Sequence, residues 1–137
     1  MKLTRQIELA VEAALDKKAQ DLVVLDLRGI SSFTDHFLIC HGTSSRHVQA
    51  IADAVEEKLR KAGRRGVSIE GYARADWILM DFIDLVVHIF TSEKREFFNL
   101  ERLWGDAPRM AFEEAETPPG RRPAAPRGRG ASTKRRG

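Results

Sequence analysis

The run from Asp76 to Phe90 constrains the fold more than any other stretch, because it is densely apolar yet carries acids at three places, Asp76, Asp81 and Asp84. It breaks most easily at Phe82-Ile83, which predicts two strands, Trp77 to Asp81 and Leu85 to Phe90, joined by a tight turn. Alternation along a strand then places Trp77, Leu79 and Asp81 on one face and Ile78 and Met80 on the other. Two apolar faces in a small chain leave two arrangements open. Either helices cover the hairpin on both sides, or one face packs inside while the other receives a partner.

Composition bounds the rest. A chain of 137 residues that is 42% hydrophobic is the size of one domain, and it has no apolar run near the roughly 18 residues that cross a bilayer, so no membrane association is expected. Met1 to Gln6 leads directly into an amphipathic segment containing acids, unlike a signal or transit peptide, which points to the cytoplasm. Cys40 is the only cysteine; it excludes an intrachain disulfide and suits a reducing compartment.

The net charge of +3 is unevenly spread. Residues 113–137 carry seven basic side chains (Arg121, Arg122, Arg127, Arg129, Lys134, Arg135, Arg136) against three acids, whereas residues 1–112 balance to −1. This division predicts a folded domain over 1–112 and a disordered Arg/Pro/Gly-rich tail over 113–137, too poor in apolar residues to offset the entropy of ordering. Such a tail either contacts nucleic-acid phosphates or serves only as a solubilising extension.

Within the domain, Thr4 caps a helix with Ile7, Ala10, Val11, Ala14 and Leu15 on one stripe. Strands over 22–27 and 36–41 pair across the intervening loop. Thr43-Ser44-Ser45 offers N-caps for a second helix whose stripe is Val48, Ile51, Ala52, Val55, Leu59 and Ala62, with Gly63 as its stop. A short strand at 67–70, the hairpin, and a last helix capped by Ser92 and bearing Phe97, Leu100, Leu103 and Trp104 complete the order α-β-β-α-β-β-β-α. The expected fold is α/β: a single mixed β-sheet of about five strands with helices packed on it.

Three blocks together resemble a known family. Asp35 to Val48, Glu70-Gly71 followed by Asp76-Trp77, and Asp84 to Phe90 running into Glu101 to Trp104, in this order and spacing over roughly residues 4 to 107, are similar to the ribosomal silencing factors, RsfS, also called Iojap-related. The resemblance implies a translational repressor, acting under nutrient limitation, that binds the large ribosomal subunit through ribosomal protein L-fourteen and blocks association with the small subunit. It implies no enzyme activity and no cofactor. Family members usually have Gly before the Asp that opens the second hairpin strand; this chain has Ile83, and a β-branched residue disfavours positive φ.

The residues themselves suit a basic protein partner for the folded part. Trp77 offers an aromatic anchor beside Leu79, while Asp76, Asp81 and Asp84, with Glu70 in the preceding strand, supply charge that repels naked RNA. Ordinary core packing is the competing role for Trp77. Ribosomal RNA is a second possible contact, through the basic tail or the Lys58 to Arg65 cluster. Sequence leaves monomer and homodimer open.

The alternative function is a nucleotide-binding or nucleotidyl-transferring enzyme of related, nucleotidyltransferase-like fold. Gly42-Thr43-Ser44-Ser45 at a helix start suits a phosphate. The paired carboxylates that would hold two cations are missing: Asp53 stands alone in a helix, and Asp81 and Asp84 flank a turn and diverge. Capping is the simpler role. His36 and Cys40 lie four apart on a strand, with Cα atoms roughly 13 Å apart, too far to share a zinc ion. His88, between Val87 and Ile89, reads as a hydrogen-bonded structural histidine rather than a base.

Overall fold

The computed structural model describes residues 3–64 and 68–112. The tail over 113–137 and the first residue of the expected 67–70 strand lie outside the described residues. The elements in chain order are α1 (Arg5–Asp16), β1 (Gln20–Asp26), β2 (His36–Gly42), α2 (Ser45–Lys61), β3 (Ser68–Glu70), β4 (Trp77–Asp81), β5 (Leu85–Thr91), α3 (Ser92–Phe98), α4 (Leu100–Leu103) and β6 (Arg109–Phe112). One sheet runs β3-β4-β5-β2-β1-β6. All neighbours are antiparallel except β2 and β5, so the sheet is mixed, as the element order implied.

Local chemistry starts each long helix. Thr4 Oγ1 accepts the Ile7 N–H and Ser44 Oγ accepts the His47 N–H, each satisfying a donor that has no intrahelical partner. Lys58, Arg60 and Lys61 then complement the dipole at the end of α2. The apolar stripes of both helices pack onto one sheet face against Leu22, Val24, Leu38, Cys40, Ile78, Met80, Leu85, Val87 and Ile89. Fully burying each such aliphatic side chain contributes about 1.5–3 kcal/mol, so this face anchors the fold.

The other face is covered less completely. Val23, Leu25, Phe37, Ile39, Val86 and Phe90 form a second, smaller core against Leu100 and Trp104, with Trp77 and Leu79 only half-buried at its margin.

Three expectations need correction. The sheet has six strands rather than five, because Arg109–Phe112 pairs with β1, an association between segments more than 80 residues apart that has little local signature. The last helix is capped by Thr91 rather than Ser92, and it divides at Asn99, which takes the left-handed conformation with φ 46° and ends α3. That division rotates the expected apolar stripe apart: Leu100 and Trp104 face the second core, whereas Phe97 and Leu103 are 74% and 72% exposed.

Candidate functional site

The site is the second sheet face. Paired residues across a sheet share a face, so the register aligns Glu70, Leu79, His88, Ile39 and Val23 in one row. A parallel row holds Trp77, Phe90 and His41, and another holds Ser68, Asp81, Val86 and Phe37. Of the residues singled out from sequence, Glu70, Trp77, Leu79 and Asp81 are therefore brought together on one surface, with both acids exposed.

Asp76 and Asp84 stand apart from that surface. Asp76 precedes β4; its carboxylate accepts from Arg74 Nε at 3.3 Å, and its carbonyl receives the Thr91 N–H at 3.0 Å. The Asp84 carboxylate accepts from Arg64 Nη2 at 3.0 Å and from Gln6 Nε2 at 3.1 Å, which turns it toward the α1 and α2 layer. The divergence expected for Asp81 and Asp84 is thus observed, and the acids of the open face reduce to Glu70 and Asp81.

Trp77 sits within a chain of rings. It lies 5.1 Å from Phe90 in a stacked arrangement and 4.6 Å from Phe98 of α3. Its indole Nε1–H donates to His88 Nδ1 at 3.2 Å. His88 meets the edge of Phe37 at 4.4 Å; Phe37 in turn meets Trp104 at 5.9 Å, and Phe33 lies 6.3 Å from Trp104. The chain ends on exposed rings in both directions, Phe33 on one side and Phe97, 5.0 Å from Phe98, on the other. Sequence reasoning missed Phe33, Phe37, Phe90 and Phe98 as members of this surface. The alternation Val86, His88, Phe90 along β5 was the available signal, but the register that sets Phe37 and Trp77 beside it is not local.

Burial pushes the pKa of His88 down to about 4, so the ring is neutral, with Nδ1 as acceptor. His88 thus has the hydrogen-bonded structural role expected of it. Burial also lowers His36 and, with the neighbouring Arg95 charge adding to it, His41.

The elements of the enzyme reading have other partners. Ser44 is the α2 N-cap, and the Thr43 N–H donates to His47 Nδ1 at 2.9 Å. Asp53 accepts from the Tyr72 hydroxyl at 3.0 Å. A cleft of about 450 Å³ opens beyond the carboxyl ends of the parallel pair β2 and β5, where Arg95 is bound to Glu101 and His41. Arg95 and Glu101 of its lining are thus paired with each other.

These features define a small mixed α/β domain with an open, aromatic sheet face. Residues 1–136 match the family described as RsfS, ribosomal silencing factor during starvation, and the chain belongs to that family. The match extends past residue 107 into the Arg-rich segment, which the resemblance read from sequence had left out. Ribosomal silencing factor RsfS of Halalkalibacterium halodurans is 47% identical over 107 residues, covering 78% of this chain and 92% of that protein. A crystal structure of a Chromobacterium violaceum protein is 30% identical with a TM-score of 0.73, covering 96% of this chain and 98% of that one. The mouse mitochondrial assembly of ribosomal large subunit protein 1 is 33% identical over 101 residues, covering 72% of this chain and 44% of that protein.

Proposed function

We propose that the chain represses translation, under nutrient limitation, by docking the second face of its sheet on ribosomal protein L-fourteen of the large ribosomal subunit and so blocking association with the small subunit. It does so by binding rather than catalysis. The observation that carries this reading is Trp77, a half-exposed indole in a continuous aromatic surface with Leu79 beside it and Glu70 and Asp81 at its margin. Large rings bury much area at low entropic cost, and an acidic rim suits a basic ribosomal protein. The family's description, and a relative named for assembly of the large subunit, point the same way. Asp76 and Asp84, held off that face by Arg74, Arg64 and Gln6, are not part of the docking surface, whereas the basic side chains beyond residue 112 add contacts to ribosomal RNA phosphates.

Sedimentation with separated subunits tests this. The protein is expected to migrate with the large subunit, to bind isolated ribosomal protein L-fourteen, and to reduce formation of joined ribosomes. Trp77→Ala should weaken binding by about 2 kcal/mol or more. Because Trp77 also packs on Phe90 and Phe98, folding of the variant must be checked by circular dichroism. Co-migration with the small subunit alone, or full affinity in a folded Trp77→Ala variant, would overturn the reading.

A further inference from the structure

A polar contact inside the aromatic surface has a cost that the fold itself does not require. His88 is 4% exposed, wedged between the edge of Phe37 and a Phe90 ring lying 8° from parallel to it. Its Nδ1 accepts the Trp77 indole N–H, which leaves the proton of the neutral ring on Nε2. Nε2 is buried and has no hydrogen-bond partner among the described residues. An orphaned buried donor is destabilising, and an apolar ring at this position would avoid it. What such a ring could not supply is an acceptor for the indole.

That acceptor matters because of where Trp77 lies. The indole is half-exposed, with its N–H directed inward toward β5. A partner that covers the ring removes water from it, and an unpaired N–H would then oppose docking. Phe90 stacks on the ring and Phe98 packs against it at a tilt, but such ring contacts alone fix the plane weakly against sliding and flipping. A directional bond from the side of the core both satisfies the donor and fixes the edge that the ring presents. Histidine is suited to this because it combines a flat ring that fits among Phe37 and Phe90 with a nitrogen acceptor.

We propose that His88 is a positioning residue for the docking surface, holding the Trp77 indole through Nδ1 so that the ring meets its partner preoriented and with its N–H already paired. This rests on the reading that the Trp77 face docks on the large subunit. His88 itself touches no partner; it acts through Trp77.

The test uses the full chain with His88→Phe, His88→Gln and Trp77→Phe. Proton–nitrogen correlation spectra give one indole resonance per tryptophan, and the one absent in Trp77→Phe belongs to Trp77. In His88→Phe the Trp77 indole proton should exchange with solvent faster, and affinity for purified large subunits should fall about tenfold, or about 1.4 kcal/mol. Thermal stability should change little, because the orphaned Nε2–H is gone while the indole N–H loses its acceptor. His88→Gln, which restores an acceptor, should recover part of both effects.

A His88→Phe variant that is folded and binds like the wild type overturns the proposal while leaving the docking reading intact. A wild-type chain that fails to bind large subunits overturns the docking reading and, with it, the role assigned to His88. If His88→Phe does not fold, binding by Trp77→Phe, His88→Gln and their combination decides: additive losses overturn the proposal, whereas a combined loss smaller than the sum supports a shared bond.

Discussion

The carboxylate of Asp81 accepts the backbone N–H of Ile83 at 2.8 Å, so an acid at the end of one hairpin strand helps close the turn into the next. Ile83 sits at φ 82°, and the Asp84 N–H returns to the Phe82 carbonyl at 3.1 Å around it. A three-residue turn with its central residue at this φ is the rare, strained form, and a β-branched side chain makes it costlier. Arg64 also donates to the Phe82 carbonyl, and the Phe82 N–H donates to Leu85 at 2.8 Å, so the surroundings impose the strain. The misfit anticipated for Ile83 is real.

Ile83→Gly should therefore stabilise the fold by about 1 kcal/mol, the relief of strain exceeding the added entropy of an unfolded glycine. Ile83 is 74% exposed, so little packing is lost. Urea denaturation would register the gain as a higher midpoint at unchanged slope.

Acids on and off the open face should behave differently. Glu70→Lys and Asp81→Lys reverse charge at exposed positions of the second face and are expected to slow association with large subunits more than the corresponding neutral variants. Asp81→Lys should in addition cost about 1 kcal/mol of stability by removing the acceptor for Ile83. Asp84→Ala, which releases Arg64 and Gln6, should lower stability and leave association rate nearly unchanged. Stopped-flow binding beside thermal melts separates the two classes.

Acid should destabilise the protein in two stages. The pKa of His88 is lowered in the fold to about 4, so its contribution is complete above its ordinary value near 6.5 and declines as pH falls from there toward 4. His36 and His41, also lowered, add to the same decline. The Asp26 carboxyl is held down to about 2 chiefly by its hydrogen bond to the Arg28 side chain; its contribution is present above 3.8 and is lost below that, toward 2. Each titrating group adds up to about 1.4 kcal/mol per pH unit to the slope. Denaturant titrations at successive pH values should show a shallower slope between pH 6.5 and 4 in His88→Phe.

Removing residues 113–137 should leave thermal stability of the remaining domain nearly unchanged and preserve docking, while reducing its dependence on salt. Fewer phosphate counterions are released when the seven basic side chains are absent. Equal salt slopes for the full and shortened chains would show that these residues do not contact RNA. Loss of all binding would move the function into the removed segment.

Local patterns were legible where a few adjacent residues carry the whole cause. Thr4 and Ser44 cap their helices, Gly63 follows α2 at φ 97°, and β4 and β5 form because their side chains alternate or run apolar between turn residues. The same alternation separated Trp77, Leu79 and Asp81 from Ile78 and Met80, and the residue blocks of the family were readable in order. Tertiary structure alone decided which of those two sets would be left open. That outcome depends on α1 and α2 covering the face of Ile78 and Met80, whereas α3 and α4 are too short to cover the other. The pairing of β6 with β1, the exposure of Phe97 and Leu103 after the break at Asn99, and the turning of Asp84 toward Arg64 and Gln6 follow from contacts between residues distant in the chain. Periodicity fixes which side chains share a face, because it is set by the backbone repeat; what lies against that face is set by the summed burial of the whole molecule, which no short window contains.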